Sequence, residues 1–229
     1  MDPVITIAIW AVLFVASHLL ISSQSVRPRL IAAIGAQPYR GVYSLAAIGT
    51  LTPMIIEFAH HKHAGALLWY LRNFESARLL TWLMMFAAFV LLTAGIINPG
   101  PSSMIGRADG GAHGVLKLTR HPSFVAFGLF GFAHMLMNGW AGDLCFFGAF
   151  PALGILGGWH QDRRKLRDLG DSYRRFFEST SFFPGAALVS RRQRWSAADT
   201  PWTAIVIGVA IALIVVGFHP YLFGGSPMG

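Results

Sequence analysis

Nine histidines carry most of the chemistry this sequence could perform: His18, His60, His61, His63, His113, His121, His134, His160 and His219. An imidazole inside an apolar stretch is costly to bury alone, so it calls for a partner there. His134 lies about twelve residues into an apolar run that starts at Pro122, roughly 18 Å from that start at ~1.5 Å per residue. His18 lies near the end of the first apolar run, beside Ser17 and one turn before Ser22. Each can be a metal or haem ligand. Each can equally be a histidine bonded to a backbone carbonyl or to a polar neighbour, which for His134 includes Asn138. Two neutral imidazoles on facing helices can hold a haem iron between them.

The other histidines offer different chemistry. His121 precedes Pro122 at a helix N-terminus, where partial positive charge suits an anion or a cap facing the headgroups. His121 and His134 are thirteen residues apart, ~20 Å along a helix axis, so they cannot share one iron. His18 should lie ~6 Å from the end of its run and His134 ~18 Å from the same side, so pairing them requires a tilted axis. His121 matches the depth of His18 more closely and stays open as a ligand. His60-His61-Lys62-His63 lacks the cysteine or carboxylate pattern of a structural metal site. His160 and Asp162 flank an apolar run and can pair with each other, with Arg120, or with interfacial groups. Cys145 is the one cysteine, so no intrachain disulfide can form. No catalytic triad, CxxC pair, P-loop or dinucleotide fingerprint stands out.

These residues must be held by membrane-spanning helices. Of the 229 residues, 54% are hydrophobic and 12% charged, with mean hydropathy +0.53; soluble domains carry roughly 25% charged residues. A span needs ~20 mostly apolar residues. Six stretches come close: Val4–Ile21, Gly41–Ile56, Leu79–Ile97, Pro122 to Asn138-Gly139, Leu144–Trp159 and Trp202–Phe223. Ala64–Leu71 is an ambiguous further run. The fold expected is therefore all-α, a polytopic bundle of about six spans, forming a single unit over residues 1–229. The start Met1-Asp2-Pro3 lacks the positive charge of a signal peptide, so the first run is kept as a span.

The net charge of +8 does not indicate nucleic acid, because the basic residues lie in short segments between spans. Loops one, three and five carry 15 of the 18 Lys and Arg, and loops two and four carry 3. The basic side is normally cytoplasmic, which puts both termini outside and suits a bacterial inner membrane. Within residues 161–199, Leu166, Leu169, Tyr173, Phe176 and Phe177 fall on one helical face among arginines. That pattern predicts a cytoplasmic amphipathic helix lying on the leaflet, packed under the bundle, or both. Gly154 and Gly158 are spaced for close helix contact.

Motifs recur in an order that resembles the NnrU family of membrane proteins. They are Ser17-His18, Arg27 to Gly35, Tyr39-Arg40, Tyr43-Ser44, Leu118-Thr119-Arg120-His121-Pro122, Ala133-His134 with Asn138-Gly139, and Asp162-Arg163-Arg164. Gly170, Tyr173, Thr180-Ser181 and Phe183-Pro184 follow. The likeness covers about residues 1–185, with Trp202–Phe223 as an added span. The resemblance implies a link to denitrification, through nitrite or nitric oxide. Through the related zeta-carotene isomerases it implies haem b and cis–trans isomerisation of an apolar polyene, with iron ligands at positions matching His18 and His134. The alternative cysteine ligand of those relatives falls at Gly131. A second likeness, carried by Arg120-His121-Pro122 and the inner Gly170-to-Tyr173 segment, is to isoprenylcysteine methyltransferases. It implies S-adenosylmethionine at the Arg120-His121 region, although their paired glutamates are Gln161-Asp162 here. A non-enzymatic accessory role is the third reading.

Overall fold

The structure, a computed structural model, describes residues 1–103 and 111–225. Its long helices are α1 (Pro3–Ile21), α3 (Ala36–His60), α4 (Glu75–Ile97), α6 (Pro122–Met137), α7 (Ala141–Leu169) and α10 (Trp202–Phe223). Shorter helices connect them: α2 (Val26–Ile34), α5 (Val115–Leu118), α8 (Asp171–Ser179) and α9 (Ala186–Val189). A small antiparallel ribbon joins β1 (Leu67–Trp69) to β2 (Gly139–Trp140).

The ends of these helices follow from local chemistry. Asp2 caps α1 by accepting the N–H groups of Val4 and Ile5 at 2.7 and 3.3 Å, and Pro3 takes the first turn. Pro122 opens α6 in the same way, its missing N–H falling where no intrahelical bond is made. Helix α7 runs well past the apolar stretch Leu144–Trp159, because its basic C-terminal turns lie beyond the apolar zone. It stops at Gly170, whose φ of 56° breaks the helix where other residues would be strained. Likewise α3 extends beyond Gly41–Ile56 at both ends and carries Pro53 inside it.

Five helices, α1, α3, α4, α7 and α10, are long and apolar enough to cross a membrane. The sixth, α6, has 16 residues and reaches only about 24 Å. Side chains such as Val12, Leu45 and Val206 stand exposed on the outer faces, 66, 71 and 66% accessible, as lipid-facing residues do. The chain is thus an all-α integral membrane bundle. The Ala64–Leu71 run adds no span: Leu67 and Trp69 pair with Trp140 and Gly139 instead. A side chain at 139 would collide with the Trp69 carbonyl.

By packing, the helices follow the order α3, α1, α7, α6, α4, α10. Small residues let the backbones approach, as they must where lipid supplies no hydrophobic drive. A Cβ on Gly154 would lie 2.7 Å from the Phe124 carbonyl oxygen, and one on Gly208 would lie 2.8 Å from the Val90 Cα. Gly158 packs against the Phe182 ring. Residues Leu166 to Phe177 form no single amphipathic helix, since Gly170 divides them between α7 and α8. The apolar face of α8 turns inward: Tyr173 and Phe176 are buried with Leu91, Ala94 and Val125 beneath the bundle.

The two ends of the bundle differ. At one, Tyr39 donates to the Ile21 carbonyl at 3.3 Å, His160 Nε2 lies 3.1 Å from the Ser22 carbonyl, and Arg120 meets Asp162. At the other, Lys62 donates to the Phe223 carbonyl, and the His63 ring meets the buried Asp143 at 2.7 Å. Arg27, Arg40, Arg120 and Arg164 gather at the first end. Arg107, one of the basic residues counted in the third loop, lies outside the described residues.

Asp199 ties the segment before α10 to α5. It accepts from Lys117 at 2.8 Å and from the Ser196 N–H and hydroxyl at 2.8 and 2.7 Å. The Lys117 bond first, then those of Ser196, hold the Asp199 carboxyl well below its ordinary value. A carboxylate so depressed stabilises the fold above its unfolded value of 3.8 and loses that contribution as pH falls further. Thermal unfolding in mild detergent should therefore show an acid-side loss of Tm below about pH 4 that is shallower in Asp199→Asn. An unchanged acid slope in the variant contradicts this.

Candidate functional site

On opposite sides of α7, against which α1 and α6 both pack, lie His18 of α1 and His134 of α6. Both are partly buried and both are held alike. His18 Nδ1 lies 2.7 Å from the Phe14 carbonyl, and His134 Nδ1 lies 2.9 Å from the Phe130 carbonyl, each one turn earlier. A carbonyl only accepts, so each Nδ1 carries the proton. Each Nε2 then keeps a free lone pair, the tautomer that a metal-ligating histidine needs.

The two imidazoles share no ring contact among the described residues. A chain of three phenylalanines links them: His18 to Phe14 at 4.5 Å, Phe14 to Phe150 at 6.2 Å, Phe150 to Phe130 at 5.0 Å, and Phe130 to His134 at 4.3 Å between ring centroids. His134 also stacks on Phe147 at 4.5 Å with planes 18° apart. Phe58 and Phe146, stacked at 4.1 Å, extend this aromatic cluster toward α3. Phe14 and Phe130 carry one signal in sequence, a position one turn before a histidine, while Phe58, Phe146, Phe147 and Phe150 carry none.

Gly131 sits against α7. A Cβ there would lie 2.6 Å from the Phe147 carbonyl oxygen and 2.4 Å from Pro151 Cδ. A side chain at this position would point into the helix contact, so a thiol ligand could not be placed there without parting α6 from α7.

Arg120 and His121 come together elsewhere, around a buried carboxylate. Asp162 Oδ2 accepts from Arg120 Nε at 2.8 Å and from its Nη2 at 2.7 Å. Asp162 Oδ1 pairs with His121 Nε2 at 2.7 Å and accepts the Tyr173 hydroxyl at 2.6 Å. The Arg120 guanidinium lies over the Phe177 ring at 4.3 Å. Backbone groups close the shell: the Arg120 N–H donates to the Ser181 carbonyl at 2.9 Å and Thr119 Oγ1 to the Phe182 carbonyl at 2.6 Å. Ser102 donates to the Arg120 carbonyl, and Gln161 to the Ser102 carbonyl. No fully buried side-chain nitrogen or oxygen lacks a partner among the described residues. Burial, then the neighbouring Asp162 charge, push the Tyr173 phenol above its ordinary value, so it stays a donor at all ordinary pH.

Of the pairings open in sequence for Asp162, the one with Arg120 forms, while His160 bonds to the Ser22 carbonyl. Tyr173 was not foreseen as a partner. It lies eleven residues on from Asp162, three helical turns, but the turn at Gly170 hides that spacing. His61 meets Glu57 at 3.2 Å and His63 meets Asp143, and no group of three or more metal-binding side chains occurs among the described residues.

The family model described as NnrU protein matches residues 6–227, a region that includes α10. Among curated relatives, 15-cis-zeta-carotene isomerase, chloroplastic, from Zea mays is 26% identical over 168 residues, covering 70% of this chain and 44% of that protein. The protein of the same name from Arabidopsis thaliana is 25% identical over 169 residues, with the same coverage. The chain thus spans less than half the length of the curated relatives it matches. No solved structure matches.

Breaking a buried ion pair by removing one partner leaves the other charge uncompensated, at a cost of roughly 3–5 kcal/mol. Asp162→Ala should therefore lower unfolding stability in detergent by about that amount, and Tyr173→Phe by about 1.5–3 kcal/mol for one bond to a charged group. Wild-type stability in Asp162→Ala contradicts the assignment.

Proposed function

Because this chain belongs to the NnrU family, we propose that it is a haem b protein of the membrane that acts on an extended apolar polyene by cis–trans isomerisation. The observation that carries this reading is the matched state of His18 and His134. Both rings commit Nδ1 to a carbonyl one turn back and leave Nε2 with a lone pair. The isomerase named in the two plant relatives supports the reaction class.

The donor chemistry fits the group, while the spacing does not place both rings on one iron, because three phenylalanines separate them. A neutral imidazole suits haem iron, and Phe14, Phe130, Phe147 and Phe150 offer the aromatic surface that a porphyrin face packs against. When bound, haem b supplies a redox-active iron. The chain's own residues do the remaining work. His18 or His134 would hold the iron through Nε2, and the phenylalanines around it would exclude water. An apolar substrate would reach the cluster from the lipid between helices. Arg120 and His121 act through position: with Asp162 they fix the start of α6, and so the height at which it presents His134.

Protein purified in mild detergent from haem-supplied cells should show a Soret band. The band should be lost or shifted in His18→Ala or in His134→Ala, while both variants elute as the wild type does. A colourless wild-type protein overturns the proposal.

A further inference from the structure

At the basic end of the bundle, α1, α2, α3, α7 and the first turn of α6 enclose a cavity of about 300 Å³. Arg27, Arg40, Arg164 and Lys165 line it, with Asp168 as the one carboxylate. Asp168 is already engaged, with Arg27 at 3.8 Å and Arg167 at 3.0 Å. Arg164 is different. It is 8% exposed, yet it makes no hydrogen bond or ion pair among the described residues. A guanidinium carries five N–H donors and always holds its charge. Because no fully buried side-chain nitrogen lacks a partner among the described residues, the Arg164 guanidinium nitrogens must be reached through the cavity that it lines. Asp168, one turn on, attracts it without forming an ion pair, while Arg27 repels it, so an anion entering the cavity meets an excess of positive charge. Tyr43, on the same wall, makes no hydrogen bond among the described residues and adds a hydroxyl donor. Arg40 and Lys165 make no ion pair there either.

We infer that this cavity is a binding site for an oxyanion carried on an apolar body, namely the phosphate group of an anionic lipid, with Arg164 as its principal contact. Position supports the apolar body. The cavity opens where α1 ends and α3 begins, at the level where apolar helices leave the bilayer. Its wall also includes Leu19, Ile31, Phe124 and Leu153. Basic pockets between helices at this depth take acidic headgroups. His18 lines the same cavity, but the inference does not depend on haem.

The test uses full-length protein stripped of lipid in neutral detergent, titrated by calorimetry with short-chain phosphatidic acid, short-chain phosphatidylcholine and inorganic phosphate. Phosphatidic acid should bind saturably and more weakly as salt rises, and phosphatidylcholine should not bind. Arg164→Gln should weaken binding by about tenfold, the value of one bond to a charged group, and Arg40→Gln should weaken it less. The exposed Arg175→Gln, away from the cavity, should bind as the wild type does. Inorganic phosphate binding as tightly as phosphatidic acid assigns the oxyanion site to a free anion and overturns the lipid assignment. Equal binding of the two lipids, or wild-type binding by Arg164→Gln, overturns the site itself. A structural role for Arg164 is excluded separately: lipid-free Arg164→Gln should unfold at a temperature no lower than the wild type, since it loses a charge that makes no ion pair and repels Arg27. A lower temperature contradicts the inference.

Discussion

The carboxylate of Asp162 is the point from which the basic end of this protein is built. One side chain accepts from Arg120, His121 and Tyr173. Those residues come from the segment before α6, the start of α6 and α8. Asp162 itself belongs to α7. Each donor would be costly to bury alone, and each is satisfied only while the others are in place. The low-dielectric setting strengthens such a cluster when it is complete and penalises it when one member is missing. That all-or-none character fixes the entry of α6 against α7. Pro122 then starts the helix, and Gly154 and Gly131 bring the two backbones into contact along its length.

Everything proposed about function depends on that contact. His134 reaches its depth because α6 begins where Asp162 places it. His18 comes from α1, on the far face of α7, and the Phe14–Phe150–Phe130 chain crosses that helix to link the two rings. The aromatic cluster serves packing and ligand alike: it fills the space between helices, and its faces are the kind of surface a porphyrin or a polyene lies against. The cavity beside His18 adds charge at the end of this apolar path, so the protein offers an amphiphile an oily body and a cationic rim.

Much of this was legible in the sequence. The spans are written in hydropathy, and the last one has the same bounds in both readings. The pairing of Arg120 with Asp162 was one of a few options that charge and position allowed. Gly154 and Gly158 announced a close approach by their spacing. Other features were hidden because they depend on tertiary contact. Gly170 interrupts a continuous amphipathic pattern, so Tyr173 folds back toward Asp162 instead of continuing down a single helix. The end of α7 could not be read from hydropathy, since a helix persists into water wherever its residues allow it. The isolation of Arg164 was invisible too, because an arginine among arginines looks solvated until the fold buries it. The unequal depths of His18 and His134 were legible, and the phenylalanines that fill the gap were not.

The central claim is that a neutral imidazole of this cluster, His18 or His134, would ligate haem iron through Nε2. Electron paramagnetic resonance of the oxidised, haem-loaded protein tests it most directly. Imidazole ligation gives a ferric haem signal, and replacing the ligating histidine with alanine should abolish or alter it. No haem signal in the wild type, or a signal unchanged in both His18→Ala and His134→Ala, would contradict the account.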